Sequence, residues 1–292
     1  MPILQAPAKI NLYLAITGRR PDGFHNLVSL AAPLVWGDTL TVEAAASGFT
    51  LTCDAPDIPV DGSNLVLKAA AAFARRTGWT GGARFALAKR IPAGSGLGGA
   101  SSDAVAALEA LNGLAGNPLR PAALAEVAAS VGSDCALFLA RQPVLMRGRG
   151  ERIDSLPADA YSRLRGMRVF LFKPGFSIAT PWAYSRLAAD APHGYVSEAR
   201  AEQRLSDWLH DPLAAPESLL FNSLERPAFA KYPALPALME RLRIRFNLMP
   251  RMTGSGSACF VLLHENRDAA AIEAVVRETW GPTAFMVDTR IA

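Results

Sequence analysis

Polar and apolar residues alternate through AKINLYLAI (8–16), with Lys9, Asn11 and Tyr13 on one side and Ile10, Leu12 and Leu14 on the other. A period of two is the signature of a strand with one buried face, so Lys9 and Asn11 are expected to point together, away from the core. GRRPDGFH (18–25) reads as a turn, and DTLTVEAAASGFTLTC (38–53) as a hairpin through Ser47-Gly48. NLVLKAAAAFARRT (64–77) predicts a helix capped by Asn64, and ARFALAKR (83–90) another strand. Ala104, Leu108 and Leu111 then recur at helical spacing, and a further helix opens at Pro121, carries Leu124, Val127 and Val131 on one side, and stops at Gly132.

The Pro/Gly/Arg-rich stretch 143–157 is the expected boundary between two domains, 1–156 and 157–292. Beyond it, MRVFLFKP, SACFVLLH and TAFMVDTR read as strands, and 197–211, 234–246 and 267–279 as helices. Strands and helices do not alternate regularly enough for a doubly wound sheet, so the fold class is α+β in two domains.

Composition narrows the function. Half of the 292 residues are hydrophobic and 19% are charged, which suits a chain with a substantial core. Cys53, Cys135 and Cys259 are odd in number, far apart and without C-x-x-C spacing, which argues against a disulfide framework and a zinc site. Lys9 interrupts the N-terminal apolar stretch, no basic segment precedes it, and no run reaches the length of a membrane span. A soluble cytoplasmic protein is expected. The net charge of +4 comes from scattered residues with no basic block, so nucleic acid is not the expected partner, whereas a small anionic substrate fits. Only five of the 30 basic residues are lysines (9, 68, 89, 173 and 231), which draws attention to each.

The most informative stretch is PAGSGLGGASSD (92–103), with glycines at 94, 96, 98 and 99 leading from a strand into a helix. A glycine-rich strand-to-helix turn can be a tight connection and nothing more. Four glycines followed by Ser101 and Ser102 go further, because they aim several backbone N–H groups and a helix N-terminus at one place, where a phosphate is favoured. The loop is not a dinucleotide fingerprint, since no second strand ending in Asp or Glu follows, and it is not a P-loop, since Ala100 stands where the lysine should be. The cation must come from elsewhere, with Lys9 and Lys89 the candidates. Asp134, in VGSDCALF, is an N-cap or turn residue on its face, but a carboxylate is also what phosphoryl transfer to an alcohol requires as a base. Thr253-Gly-Ser-Gly-Ser257 is a second glycine-rich loop at a strand entrance, either a plain turn or a further phosphate contact.

PAKINLYL, PAGSGLGGASSDA, VGSDCALF and RMTGSGSACFVLL, in that order, resemble the three motifs of the GHMP kinase superfamily, and the resemblance spans nearly the whole chain. It implies an N-terminal ribosomal S5 domain 2-like domain and a C-terminal ferredoxin-like domain, with the active site in the cleft between them. GRRPDGFHNLVSL (18–30) narrows the resemblance to the branch that phosphorylates the 2-hydroxyl of a cytidine diphosphate-linked methylerythritol in non-mevalonate isoprenoid precursor synthesis. The resemblance then implies ATP as donor, with Lys9 and Asp134 as the catalytic pair. Pro92, Ala93, Gly94, Ser95, Gly96, Leu97, Gly98, Gly99, Ala100, Ser101 and Ser102 would form the ATP phosphate loop, and Asn64, Leu65 and Lys89 would lie near adenine. Magnesium would arrive with ATP, near Ser101 or Ser102, without a dedicated protein ligand. Asn11 would position the acceptor and His25 would meet the cytosine edge. Phe24 and Tyr184 would sandwich the base, with Thr180 from PGFSIATPWAY beside them. Phe24 stands where the family more often has Tyr, and Asp103 where it more often has Asn. A monomer or weak homodimer is expected.

Overall fold

The computed structural model describes residues 1–292, and the chain divides into two compact units. The first comprises Met1–Lys9, Trp36–Ala93 and Gly98–Gln142; the second comprises Ile10–Val35, Gly94–Leu97 and Pro143–Ala292. Strand β1 (Ile3–Arg19) and strand β2 (His25–Ala45) are long enough to serve both units.

In the first unit, β2 is followed by β3 (Phe49–Cys53), helix α1 (Leu65–Thr77), β4 (Gly82–Ala88), α2 (Gly99–Leu114), α3 (Pro121–Val131) and α4 (Cys135–Leu139). The hydrogen-bonded order is β3-β4-β2-β1. The hairpin expected over 38–53 is therefore incorrect: β4 lies between its two arms, antiparallel to β2 and parallel to β3. The connection crosses over the start of β4 because Gly82 lets it come close. A Cβ on Gly82 would stand 2.3 Å from the Gly48 carbonyl oxygen. In return β4 buries Ala83, Phe85 and Leu87. Helix α1 starts as the sequence predicts, with the Asn64 side chain accepting from the Val66 N–H at 2.9 Å. Its buried face, Val66, Ala69, Ala70 and Phe73, packs on α2, whose own row of alanines permits close approach.

In the second unit, β5 (Val144–Arg147) and β6 (Arg152–Ser155) form a hairpin, so the stretch expected as a boundary carries structure of its own. Then come α5 (Ala158–Leu164), β7 (Arg168–Lys173), α6 (Thr180–Ala189), α7 (Glu198–His210), α8 (Pro216–Leu219), β8 (Phe221–Asn222), α9 (Glu225–Lys231), α10 (Ala234–Phe246), β9 (Arg251–Met252), β10 (Cys259–Leu263), α11 (Ala269–Trp280) and β11 (Phe285–Arg290). A four-stranded sheet runs β11-β7-β10-β9. One face of β7 and β10 (Phe170, Phe172, Cys259 and Val261) joins Leu235, Leu238 and Leu242 of α10 and Ile272, Val275 and Val276 of α11 in one core. Leu14 and Ile16 of β1 belong to that same core, and β1 pairs with β8 in parallel, Tyr13 against Phe221.

Lys9 and Asn11 depart from the expectation for one-sided burial. They are only 4% and 6% exposed, because both faces of β1 are covered here. Ile10 and Leu12 on the other face are likewise buried. A buried lysine and a buried asparagine are retained only where polar partners meet them.

Candidate active site

Lys9 and Asp134, 125 positions apart in the chain, meet in the first unit: Lys9 Nζ lies 3.5 Å from Asp134 Oδ2. The lysine side chain is 5% exposed and the carboxylate 41%. The cation is buried, while the carboxylate stays open to an incoming group. Asp134 precedes the short helix α4 and adopts right-handed helical backbone angles, and its side chain makes no capping hydrogen bond. The capping explanation for this residue is thereby removed.

The glycine loop leads directly to that pair. Gly98 is the N-cap of α2 at φ +77°, the left-handed region, and no side chain caps this helix end. A Cβ on Gly98 would come within 2.9 Å of Phe138 Cζ and 3.0 Å of Lys9 Cγ, so the loop lies against the lysine stem. The first turn of α2 carries no acidic residue. The Ser102 hydroxyl, fully inside, has no hydrogen-bond partner. An uncapped helix N-terminus beside a buried lysine, with an unsatisfied hydroxyl, gathers N–H donors and positive charge in one place, which favours an anion there.

Residues 94–97 of the loop pack within the second unit. Ser95 O accepts from the Ala258 N–H at 3.0 Å, and a Cβ on Gly96 would be 2.3 Å from Thr253 O. The second glycine loop thus backs the first. Thr253 Oγ1 also accepts from the Asn11 N–H at 3.0 Å, and Asn11 Nδ2 donates to Ser29 Oγ at 3.0 Å. Thr180, at the start of α6, shares a 2.7 Å hydrogen bond with Ser255.

His25 packs against the Tyr184 ring, with centroids 5.0 Å apart, and against Tyr195 at 6.0 Å. Its Nε2 is buried without a partner. Burial, and after it the Arg19 guanidinium, pull the imidazole pKa below its ordinary value, so the neutral ring predominates at neutral pH. Phe24 is 48% exposed, and the Arg149 guanidinium lies over its ring at 5.0 Å.

Lys89 does not stand free as a cation. Its ammonium bridges two buried carboxylates, Asp38 and Asp103, the latter at 2.9 Å. Asp38 also accepts from the Arg90 and Ile91 N–H groups. Burial alone would lower the lysine pKa; Asp103 and Asp38 reverse that and hold it above its ordinary value. The charge of Asp103 is therefore directed at Lys89. Sequence reasoning missed Asp38 and Ser29, since nothing in their local pattern marks either residue. Asn64 spends both ends of its side chain locally, accepting from Val66 N and donating to Pro59 O at 2.7 Å, and Leu65 opens α1.

The two carboxylates around Lys89 make stability depend on pH. Burial pushes the Asp103 carboxyl up to about 7, with Lys89 opposing and Asp38 reinforcing. An unfolded aspartate titrates at about 4. The stability contributed by a raised pKa is present below the unfolded value and is lost as pH rises through the folded one. Asp103→Asn keeps an acceptor for Lys89 and removes that dependence. Its urea midpoint relative to the unsubstituted protein should improve between pH 4 and pH 8; an equal difference at both pH values would show that Asp103 stays ionised in the folded protein.

Known families match both parts of the chain. The family described as GHMP kinases N terminal domain matches residues 64–141, and GHMP kinases C terminal matches 205–282. The chain belongs to the GHMP kinase family. It is an ATP-dependent small-molecule kinase. A protein of Methylacidiphilum infernorum named 4-diphosphocytidyl-2-C-methyl-D-erythritol kinase is 40% identical over 260 residues, covering 88% of this chain and 84% of its own. A protein of the same name from Gloeobacter violaceus is 36% identical over 291 residues, covering 99% and 94%. A crystal structure of 4-(cytidine 5'-diphospho)-2C-methyl-D-erythritol kinase superposes with a TM-score of 0.79 at 34% identity over the full length of both chains. No helix of this GHMP kinase is long and apolar enough to cross a membrane.

Proposed function

We propose that this kinase phosphorylates the 2-hydroxyl of 4-diphosphocytidyl-2-C-methyl-D-erythritol with ATP, in isoprenoid precursor synthesis. Asp134 serves as general base and Lys9 as its electrostatic partner. The observation that carries the choice of acceptor is His25. Its Nε2 is inside the protein with no partner, its ring is held neutral, and the Tyr184 ring packs against it. A group with this combination is suited to the edge of a nucleobase, and the names borne by the relatives point to cytosine.

The chemistry rests on the side chains. Asp134 accepts the hydroxyl proton as the acceptor oxygen attacks the γ-phosphorus and the bond to the β-phosphate oxygen breaks. Lys9 offsets negative charge on the transferring group, in the place where a P-loop would use its own lysine. The α2 N-terminus and the 92–102 loop hold the donor phosphates. Magnesium accompanies ATP in such reactions, and Ser101 or Ser102, at the start of α2, would be the protein side chain nearest to it. Asn64 and Leu65 stand on the nucleobase side of the donor, and Lys89 stabilises the ground beneath Gly99. Asn11, Thr180, Phe24 and Tyr184 line the acceptor side.

An acceptor panel tests the reading. With ATP and magnesium, the cytidine-linked alcohol should turn over, while mevalonate and homoserine should not. Turnover of either of those in its place would sink the proposal. His25→Ala should raise KM for the cytidine-linked acceptor roughly 10- to 100-fold, the value of one buried hydrogen bond, and leave KM for ATP unchanged.

A further inference from the structure

We infer that Asn222 is a positioning residue for nucleotide binding: it clamps the second glycine loop, and through that loop it sets residues 94–97 of the phosphate loop. The inference rests on the reading of 92–102 as the phosphate loop. Asn222 sits at the end of the two-residue strand β8, next to β1, and is 3% exposed. Its amide nitrogen donates to Met252 O at 2.7 Å and to Gly254 O at 2.8 Å, and its amide oxygen accepts from Leu224 N at 2.9 Å. The side chain thereby joins three backbone groups from two segments that are about thirty residues apart in the chain.

The same segment holds the end of β9 at a second backbone group. The Met252 N–H donates to Glu225 Oε1 at 2.8 Å, and the Arg251 guanidinium lies 3.7 Å from that carboxylate. Met252 is therefore fixed at both its N–H and its C=O by side chains from one short segment, 222–225. The chain runs from Met252 straight into the loop Thr253–Ser257, and this loop touches the phosphate loop backbone to backbone. Ala258 N bonds Ser95 O, and no side-chain atom fits between Gly96 and Thr253 O. Contacts of that kind transmit a displacement almost undiminished, because peptide groups cannot change rotamer to absorb it. Asn11, on the acceptor side, touches the loop at Thr253, but its own side chain is tied separately to Ser29, which in turn donates to Tyr13 O. Thr180 meets the loop as well, at Ser255, but both contacts run through side-chain hydroxyls that can turn to follow a shift, so the acceptor side is coupled to the loop less stiffly than the donor side.

Aspartate at 222 would turn an oxygen toward two carbonyl oxygens, whereas serine would vacate the space without repulsion. In the full-length protein, affinity for a non-hydrolysable ATP analogue is to be measured by titration without acceptor, together with KM for both substrates and the circular dichroism spectrum. Asn222→Asp should weaken nucleotide affinity roughly 10- to 100-fold, and Asn222→Ser by less, with acceptor KM changed no more than about threefold. If the aspartate variant does not fold, the serine variant decides. Folded variants that bind the nucleotide within twofold of the unsubstituted protein, or that raise both KM values together, would overturn the inference. The titration needs no acceptor, so it stands apart from the choice of alcohol. If Gly96→Ala also leaves nucleotide affinity intact, the phosphate-loop reading fails; if only the Asn222 variants do so, the clamp alone fails.

Discussion

Asp134→Asn is expected to lower kcat by roughly 10²- to 10⁴-fold, the usual contribution of a positioned general base, while ATP affinity changes no more than a few-fold. The geometry makes this a clean test. Asparagine keeps the size of the side chain and an oxygen to face Lys9 Nζ, which lies 3.5 Å from the native carboxylate, but it cannot take up a proton. Stability should hardly move, because the carboxylate is 41% exposed and caps no helix. Partly exposed ion pairs contribute only about 0–1 kcal/mol. Steady-state rates with both substrates saturating, beside a thermal melt, separate the two effects. A variant retaining a third or more of the kcat would remove Asp134 from the role of base and leave it as a partner that orients Lys9.

Gly96→Ala should produce the largest loss in nucleotide affinity, about 100-fold or more, with a melting temperature lower by several degrees. Two separate constraints act at this position. Its φ of +80° lies in the left-handed region, which costs an alanine about 1–2 kcal/mol. The new Cβ would also stand 2.3 Å from Thr253 O and 3.0 Å from Gly256 N, both backbone atoms, so the two glycine loops must separate. Gly113→Ala serves as the control. Gly113 lies within α2 with nothing within 4 Å of its Cβ position. There alanine should stabilise by about 0.5–1 kcal/mol through helix propensity and leave kinetics alone. If both substitutions behaved alike, the close approach of the two loops would not matter in solution.

Much of the fold was legible along the chain, since caps, turns and periodicity are properties of neighbours in sequence. Asn64 caps α1 as its position suggested, helix α10 occupies 234–246, and α2 begins where the glycines end. The reading failed where pairing depended on residues far away. A Ser-Gly turn between two β-rich runs normally makes a hairpin, but here β4 offers both arms a better apolar partner and enters between them. Helix α4, five residues long, is too short to leave a periodic signal. Lys89 looked available beside the loop because its two carboxylate partners, 51 and 14 positions away in the chain, have no local mark.

The sequence by itself determined that a loop rich in glycine and serine leads from a strand into a helix without a P-loop lysine, and it left Lys9 and Lys89 as the two cations that could serve it. Local composition suffices for this, because a run of glycines and serines before a helix exposes N–H groups whatever surrounds it. Only the tertiary structure showed what each lysine's charge already faces. Packing buries Lys9 beside Gly98 and within 3.5 Å of Asp134, and it consumes Lys89 between two carboxylates. Charge and hydrogen-bonding capacity belong to a residue type, but what remains of them for a ligand depends on which distant groups the fold has already brought within reach.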